Sequence, residues 1–197
     1  MTDLYDSEQW HRFDLGHPGG EAMTESLLAR SGLKKGSRIL DLCCGTGDSV
    51  ALLYTLGMSA FGVDRDSVIL RAQEKHEAIS GDSWHGWQGD TGEPLPFDDH
   101  YFDAALCECS LSLLKDRATV LAEVRRVLKQ EGLFLLSDVC EGEAFQLDGF
   151  ERLEWRDERQ ALKNFAIRWI WETGQKFPDS ERGKDYFSAV YRAIGPA

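Results

Sequence analysis

The amino-acid sequence predicts an α/β fold in which a mainly parallel β-sheet is covered by helices on both faces. Short apolar segments alternate with segments of helical periodicity, and no repeat or low-complexity stretch interrupts the pattern. A glycine-rich turn separates the first apolar segment from the helical pattern that follows it, and the second apolar segment ends in an acid, Asp64. These observations predict a nucleotide-binding βαβ unit.

The elements follow in order along the chain. We place strands at residues 38–41, 60–63, 84–88, 102–107 and 133–138, and helices at residues 49–56, 67–79 and 117–129. Asp48 or Ser49 can cap the beginning of the first of these helices, and Gly57 can end it. The third helix has a single apolar stripe and ends before Gly132.

The C-terminal part adds a half-buried strand at residues 150–157 and a helix at 161–173. The helix has more apolar positions than one buried face needs, because Ile167 and Trp171 lie off the stripe that contains Trp169. Core packing is the commoner explanation of such a stripe. A pocket wall and a dimer face are the alternatives.

The glycine-rich turn suits a bound nucleotide. Gly45 and Gly47 have no Cβ, so the backbone can take positive φ and a ligand can approach it closely. Asp64 follows at about the spacing at which an acid accepts hydrogen bonds from ribose hydroxyls. The dinucleotide fingerprint has glycine or alanine where this chain has Val50, and no P-loop lysine follows the turn. Binding of NAD or FAD and hydrolysis of ATP are therefore disfavoured.

Further motifs follow the turn in a fixed order, namely Gly62-Val63-Asp64, Gly89-Asp90-Thr91, Leu95-Pro96-Phe97 and Tyr101-Phe102-Asp103. Over residues 38–139 the sequence resembles class I S-adenosylmethionine-dependent methyltransferases, in particular the small ubiquinone and menaquinone-biosynthesis-like group. The resemblance implies a Rossmann-like seven-stranded sheet of order 3-2-1-4-5-7-6 with an antiparallel seventh strand at residues 184–192. It also implies that residues 140–149 replace a larger helix.

The resemblance further implies S-adenosyl-L-methionine as cofactor, S-adenosyl-L-homocysteine as product, and in-line transfer of the methyl group to a small-molecule acceptor. Two alternatives stay open. A non-catalytic S-adenosylmethionine-binding accessory protein is favoured by the short segment after Val139. A nicotinamide-dependent oxidoreductase is opposed by Val50 and by the Gly89-Asp90-Thr91 motif.

The same resemblance implies which residues bind the cofactor. It assigns the methionine part to Asp41, Gly45 and Gly47, the ribose to Asp64, and the adenine edge to Asp90 and Thr91. The neighbours that complete the set are Cys43, Thr46, Arg65 and Cys107. Asp41 and Asp90 can instead be structural acids in turns. Cys43 departs from the family, which usually has glycine at this position.

Glu108 and His17 are the candidate catalytic residues. Glu108 follows the fourth strand, where the family places the sulfonium and the substrate, and it can be a base, a ligand for a cationic substrate or a structural acid. His17 lies in a segment that covers the cofactor in the family, and a surface turn is the alternative. The candidate substrate contacts are Tyr5, Arg12, Cys109, Trp169 and Trp171. Cys109 is either a buried apolar residue or a methyl relay or metalloid ligand, as in arsenic methyltransferases.

The composition restricts partners and location. The 22 basic and 34 acidic residues give a net charge of −12, which opposes binding to nucleic acids and anionic membranes. No apolar run approaches the roughly 20 residues that span a bilayer, and the first residues are acidic rather than a basic signal region. We expect a soluble, cytoplasmic protein that acts on a small molecule, and a homodimer is its candidate assembly.

The five cysteines are expected to be reduced thiols. Cys107 and Cys109 are too closely spaced for a zinc pair and no histidine lies at i, i+4 with another ligand, so we expect no metal site. The chain of 197 residues suits one domain with a full core. Within it, residues 1–30 form the N-terminal lid region, residues 31–139 the cofactor-binding core, and residues 140–197 a variable part that completes the sheet.

Overall fold

The computed structural model describes residues 16–140, 146–178 and 183–195. Tyr5 and Arg12, two of the candidate substrate contacts, lie outside the described residues. The strands are β1 (Arg38–Leu42), β2 (Ser59–Asp64), β3 (Trp84–Gly86), β4 (Phe102–Glu108), β5 (Leu128–Cys140), β6 (Phe150–Asp157) and β7 (Asp185–Ala193). The helices are α1 (Gly20–Ser31), α2 (Asp48–Thr55), α3 (Asp66–Lys75), α4 (Arg117–Val127) and α5 (Arg159–Thr173).

The seven strands form one sheet of order β3-β2-β1-β4-β5-β7-β6, in which β7 is antiparallel to both of its neighbours and the other pairs are parallel. The predicted order and the predicted direction of the seventh strand are both confirmed. Ile39 of β1 pairs with Ala60 on one side and with Ala104 on the other. This register brings the carboxyl ends of β1, β2 and β4 to the same edge of the sheet, where open α/β folds bind their ligands.

Helices cover both faces of the sheet, as predicted. Apolar side chains of α1, α2 and α3 pack on one face, where Leu27 and Leu53 are fully buried. The apolar stripe of α4 packs on the other face, where Val124 and Val127 are fully buried. Because strand side chains alternate, neighbouring residues at the end of a strand point toward different helix layers.

The boundary between α4 and β5 differs from the prediction. The helical pattern was expected to continue to residue 129, but α4 ends at Val127 and β5 begins at Leu128, which pairs with Phe102. The pairing then shifts register, and Glu131 takes a positive φ of 59° next to Gly132. An irregular strand with an apolar first residue cannot be distinguished from the last turn of a helix by periodicity.

The segment after β5 leads to β6 without a helix among the described residues, and α5 lies between β6 and β7. On α5, Phe165 and Trp169 are buried against Phe177. Trp171 is 88% exposed and Ile167 is 67% exposed, so one side of this apolar helix faces outward. Across residues 16–140, 146–178 and 183–195, no helix is long and apolar enough to cross a membrane.

Candidate active site

A cavity of about 480 Å³ opens at the carboxyl ends of β1, β2 and β4. Its size is in the usual range for a site that holds one cofactor or drug-sized molecule, roughly 300–1,000 Å³. Four carboxylates line it, and they come from four different elements or their ends: Asp41, Asp48, Asp64 and Glu108. The other polar lining residues used below are His17, Cys43, Gly45, Thr46, Ser49, Arg65 and Cys109.

The glycine turn joins β1 to α2 and forms the floor of the cavity. Gly45 has a φ of +55°, and a Cβ added there would meet no atom within 4 Å, so the space above it is open to a ligand. Gly47 has a φ of +82°, but an added Cβ would come within 2.5 Å of Trp84. Gly47 does not line the cavity. The two glycines therefore serve different purposes, because the first leaves room above the turn and the second allows packing below it.

Cys43 also takes a left-handed conformation, with a φ of 60°. Glycine is the residue that adopts this conformation without steric cost, and a residue with a Cβ pays roughly 1–2 kcal/mol. The backbone conformation therefore explains why glycine suits this position. Cys43 is half-buried and lines the cavity beside the turn.

Asp64, at the end of β2, is tied to the glycine turn through two backbone amides. The Gly45 N–H donates to Oδ2 at 2.9 Å, and the Arg65 N–H donates to Oδ1 at 2.8 Å. Burial raises the pKa of Asp64, although these two amides oppose the shift. Each carboxylate oxygen can accept a further hydrogen bond, so the side chain still offers acceptors to a ligand diol.

Asp41, in β1, is the most deeply buried acid of the cavity and is 3% exposed. Its Oδ2 atom has no hydrogen-bond partner among the described residues. Burial, with a smaller contribution from the negative charges of Glu108, Asp64 and Asp48, raises the pKa of Asp41 well above its usual value. A buried acceptor without a partner is costly in a folded protein, and a cation in the cavity would remove that cost.

Glu108, at the end of β4, accepts hydrogen bonds from several elements at once. The Thr24 hydroxyl of α1 and the Ser49 hydroxyl of α2 donate to Oε2 at 2.8 and 3.0 Å. The His17 Nε2 atom lies 3.3 Å from the same oxygen, and the Ser137 hydroxyl lies 3.4 Å from Oε1. The Glu108 side chain is 5% exposed. The sequence candidates Glu108 and His17 are thus adjacent, and Glu108 has little free capacity to act as a base.

The wall next to β3 combines residues that the sequence did not single out with the first residue of the Gly89-Asp90-Thr91 motif. Trp87, Gln88 and Gly89 line the cavity there. Thr91 donates its hydroxyl to the Gln88 carbonyl at 2.7 Å and does not line the cavity. Residue 90 lies in the same 3₁₀ turn, Gly89–Thr91. Trp87 and Gln88, which follow β3, and Gly89, the first residue of the motif, therefore form this wall.

The remaining candidates are separated by the structure. Cys109 lines the cavity beside Glu108, whereas Cys107 is fully buried among the residues that pack against α4. Strand alternation alone would put residues 107 and 109 on the same face, but β4 ends at Glu108 and Cys109 takes a positive φ of 55°, which turns its side chain away from the face of Cys107. Trp169 and Trp171 are not among the lining residues. Ser49 and Thr24 contact Glu108 but lie 59 and 84 residues away from it in sequence, and no local pattern marks them.

The fold and the cavity define a Rossmann-like protein. Its glycine turn, and the Asp64 carboxylate that can accept hydrogen bonds from ribose hydroxyls, suit a nucleoside cofactor. A family model described as a methyltransferase domain matches residues 33–188. The chain therefore belongs to this methyltransferase family, and it is an S-adenosylmethionine-dependent enzyme. Of the three functions that the sequence left open, the family assignment favours the methyltransferase.

Curated relatives agree with this assignment, and a solved structure shares the fold. The chain is 28% identical to a demethylmenaquinone methyltransferase of Geobacillus kaustophilus over 87% of this chain and 75% of that protein. It is 39% identical to a 2-phytyl-1,4-naphtoquinone methyltransferase of Synechococcus elongatus over 50% of this chain and 44% of that protein. The structure of Haemonchus contortus phosphoethanolamine N-methyltransferase 2 with S-adenosyl-L-methionine shares the fold, with a TM-score of 0.76, 15% identity, and coverage of 98% of this chain and 59% of that one.

The left-handed backbone at Cys43 makes a testable difference between two small substitutions. Cys43→Gly should be more stable than Cys43→Ala by about 1 kcal/mol, because only the glycine variant removes the steric cost of positive φ. Cys44 is the matched control, since its φ is not positive and Cys44→Gly should be less stable than Cys44→Ala. Urea unfolding measures both pairs. The same order of stability at both positions would contradict the explanation.

Proposed function

We propose that the protein transfers a methyl group from S-adenosylmethionine to a small-molecule acceptor whose proton is taken up by His17, with Glu108 as the residue that orients His17. The observation that supports this assignment is the contact of 3.3 Å between His17 Nε2 and Glu108 Oε2 in the wall of a carboxylate-lined cavity. A histidine held by a buried carboxylate is a common arrangement for a general base.

The residues of the cavity fit the proposed placement of the cofactor. Asp64 would accept hydrogen bonds from the ribose hydroxyls, the open space above Gly45 would receive the methionine part, and the residues after β3 would contact the adenine. The unpartnered buried oxygen of Asp41 suits a cationic ligand. The cofactor, when bound, supplies a methyl group on a positively charged sulfur, which is the electrophile of the reaction.

In the proposed step, the acceptor atom forms a bond to the methyl carbon while the bond from that carbon to sulfur breaks, and the electron pair stays on sulfur. The acceptor loses a proton to His17 Nδ1, since Nε2 faces Glu108. Nδ1 lies 3.3 Å from the Pro18 carbonyl oxygen, which can accept a hydrogen bond from the protonated ring. The Glu108 carboxylate, 3.3 Å from Nε2, stabilises the imidazolium that forms.

The acceptor class is a proposal that the relatives support. The curated relatives are named for quinone-type substrates, so reduced naphthoquinones are the first compounds to test. We propose incubating the protein with methyl-labelled S-adenosylmethionine and a panel of hydroquinones, phenols and amines. Mass spectrometry should detect label in one acceptor class. Label in none of them, with the protein folded and bound to cofactor, would contradict the proposal for these classes.

A His17→Gln substitution should lower kcat by about 100-fold, because general-base catalysis contributes on the order of 10²–10⁴. The affinity for S-adenosylmethionine should stay unchanged, since Gln keeps a side-chain donor toward Glu108. Steady-state kinetics with the labelled cofactor measures both quantities. His85→Gln is the matched control, because the His85 ring contacts the Asp82 carbonyl and does not line the cavity. Wild-type kcat in His17→Gln would rule out the proposed base.

Asp41 should make cofactor affinity depend on pH. Burial raises its pKa well above the usual value, so rising pH ionises a group that a nearby cation stabilises in its charged form. Affinity for S-adenosylmethionine should therefore increase with pH relative to that for the neutral-sulfur product, by about tenfold, which equals roughly 1.4 kcal/mol. Calorimetric titrations of both compounds at several pH values measure the ratio. The ratio should be constant in Asp41→Asn, and a pH-dependent ratio in that variant would refute the role of Asp41.

A further inference from the structure

The His17–Pro18 dipeptide is held at two points, and the second one lies in the last strand of the sheet. Tyr186 of β7 is fully buried, and its hydroxyl donates to the Pro18 carbonyl oxygen at 3.1 Å. The same hydroxyl lies 3.1 Å from the Ser137 hydroxyl and 3.3 Å from the Cys109 Sγ atom. The phenol group of Tyr186 therefore joins the segment before α1, strand β5 and the residue that follows β4.

The direction of these hydrogen bonds follows from the chemistry of the groups. A carbonyl oxygen can only accept, so the single Tyr186 proton points to Pro18. The thiol of Cys109 can then donate toward the phenol oxygen, while the hydroxyl of Ser137 donates to Glu108 Oε1 at 3.4 Å. Burial raises the pKa of Tyr186 well above its usual value, so the phenol remains a donor when other groups of the site titrate.

The Pro18 carbonyl connects this phenol to the proposed base. Its oxygen lies 3.3 Å from His17 Nδ1, the atom that would take the proton, while His17 Nε2 faces Glu108. The turn is closed by the Gly20 N–H, which donates to the His17 carbonyl at 3.0 Å. Gly19 has a φ of 90° and gives this turn little intrinsic preference for one conformation. An external contact is therefore needed to fix the His17 ring.

We propose that Tyr186 is a positioning residue for methyl transfer, which fixes His17 through the Pro18 carbonyl without contacting cofactor or acceptor. This inference rests on the proposed function, because it assumes that His17 accepts the proton. Both sides of the His17 ring are then held. Glu108 contacts Nε2 directly, and Tyr186 acts on the Nδ1 side through the Pro18 carbonyl. Strand β7 thereby contributes to a site whose other residues lie at the ends of β1, β2 and β4.

The substitution Tyr186→Phe removes the hydroxyl and keeps the shape of the ring. Tyr191→Phe is the matched control, because Tyr191 is also buried in β7 but packs on the α4 face, with its hydroxyl bonded to Arg152. Tyr186→Phe should lower kcat by about tenfold, the factor for a loss of roughly 1.4 kcal/mol, with the KM for S-adenosylmethionine unchanged. It should have no further effect in the His17→Gln background, because the two residues act as one unit. Tyr191→Phe should leave kcat at the wild-type value in both backgrounds.

Amide hydrogen exchange measured by NMR tests the inference without an acceptor. The Gly20 amide should exchange about tenfold faster in Tyr186→Phe and at the wild-type rate in Tyr191→Phe, while the Leu40 amide of β1 stays protected in both. Acceleration at Leu40 as well as Gly20 would mean that the hydroxyl only stabilises the fold and would overturn the inference. An unchanged exchange rate at Gly20 would also overturn the inference. The same holds if Tyr186→Phe lowers kcat by as much in the His17→Gln background as in the wild-type protein. Full activity of His17→Gln would instead refute the proposed base.

Discussion

The Glu108 carboxylate is the contact on which the arrangement of the site depends. It accepts hydrogen bonds from hydroxyl groups of α1 and α2, and it faces the His17 ring. The side chain is almost completely buried at the end of β4. A buried carboxylate requires hydrogen-bond donors, and here the donors come from elements that are far apart in sequence. The requirement of one side chain thus fixes the N-terminal helix, the helix after the glycine turn and the central strands relative to one another.

The charge of the cavity has a consistent physical meaning. Four carboxylates surround it, and burial raises the pKa of Asp41 and Asp64 because water cannot solvate their charges. The cations Arg65, Arg71 and Lys115 line the same cavity, so the attraction for a cationic ligand comes from the buried Asp41 carboxylate and its unpartnered Oδ2 atom rather than from the cavity as a whole. The cofactor of this family carries a positive sulfur before the reaction and a neutral one afterwards. Under the proposed function, the Asp41 carboxylate therefore favours the positively charged form of the cofactor over the neutral product.

The sequence predicted the parts of the structure that depend on local pattern. Helices on both faces followed from the alternation of apolar and helical segments, and the turn at Gly45 and the acid Asp64 followed from their spacing. The strand order and the antiparallel β7 followed from the family resemblance that the ordered motifs carry. The end of α4 was misplaced because Leu128 fits a helix and a strand equally well. No local pattern marked Thr24, Ser49 or Tyr186 as part of the site. Thr24 and Ser49 contact Glu108 across sequence separations of 84 and 59 residues, and Tyr186 belongs to a buried network that periodicity identifies only as core. The roles of Gly47 and Cys43 in the turn became clear only from their backbone angles, which the sequence does not give.

Amide hydrogen exchange in a Glu108→Ala variant tests the central role of this carboxylate most directly. Removing the acceptor leaves the buried hydroxyls of Thr24 and Ser49 without a partner, at a cost of roughly 1–3 kcal/mol. The first turns of α1 and α2 should therefore lose protection together, by about tenfold or more, while α4 keeps its protection and Glu108→Gln shows a smaller effect. Loss of protection in only one of the two helices, or an equal loss in α4, would contradict the account.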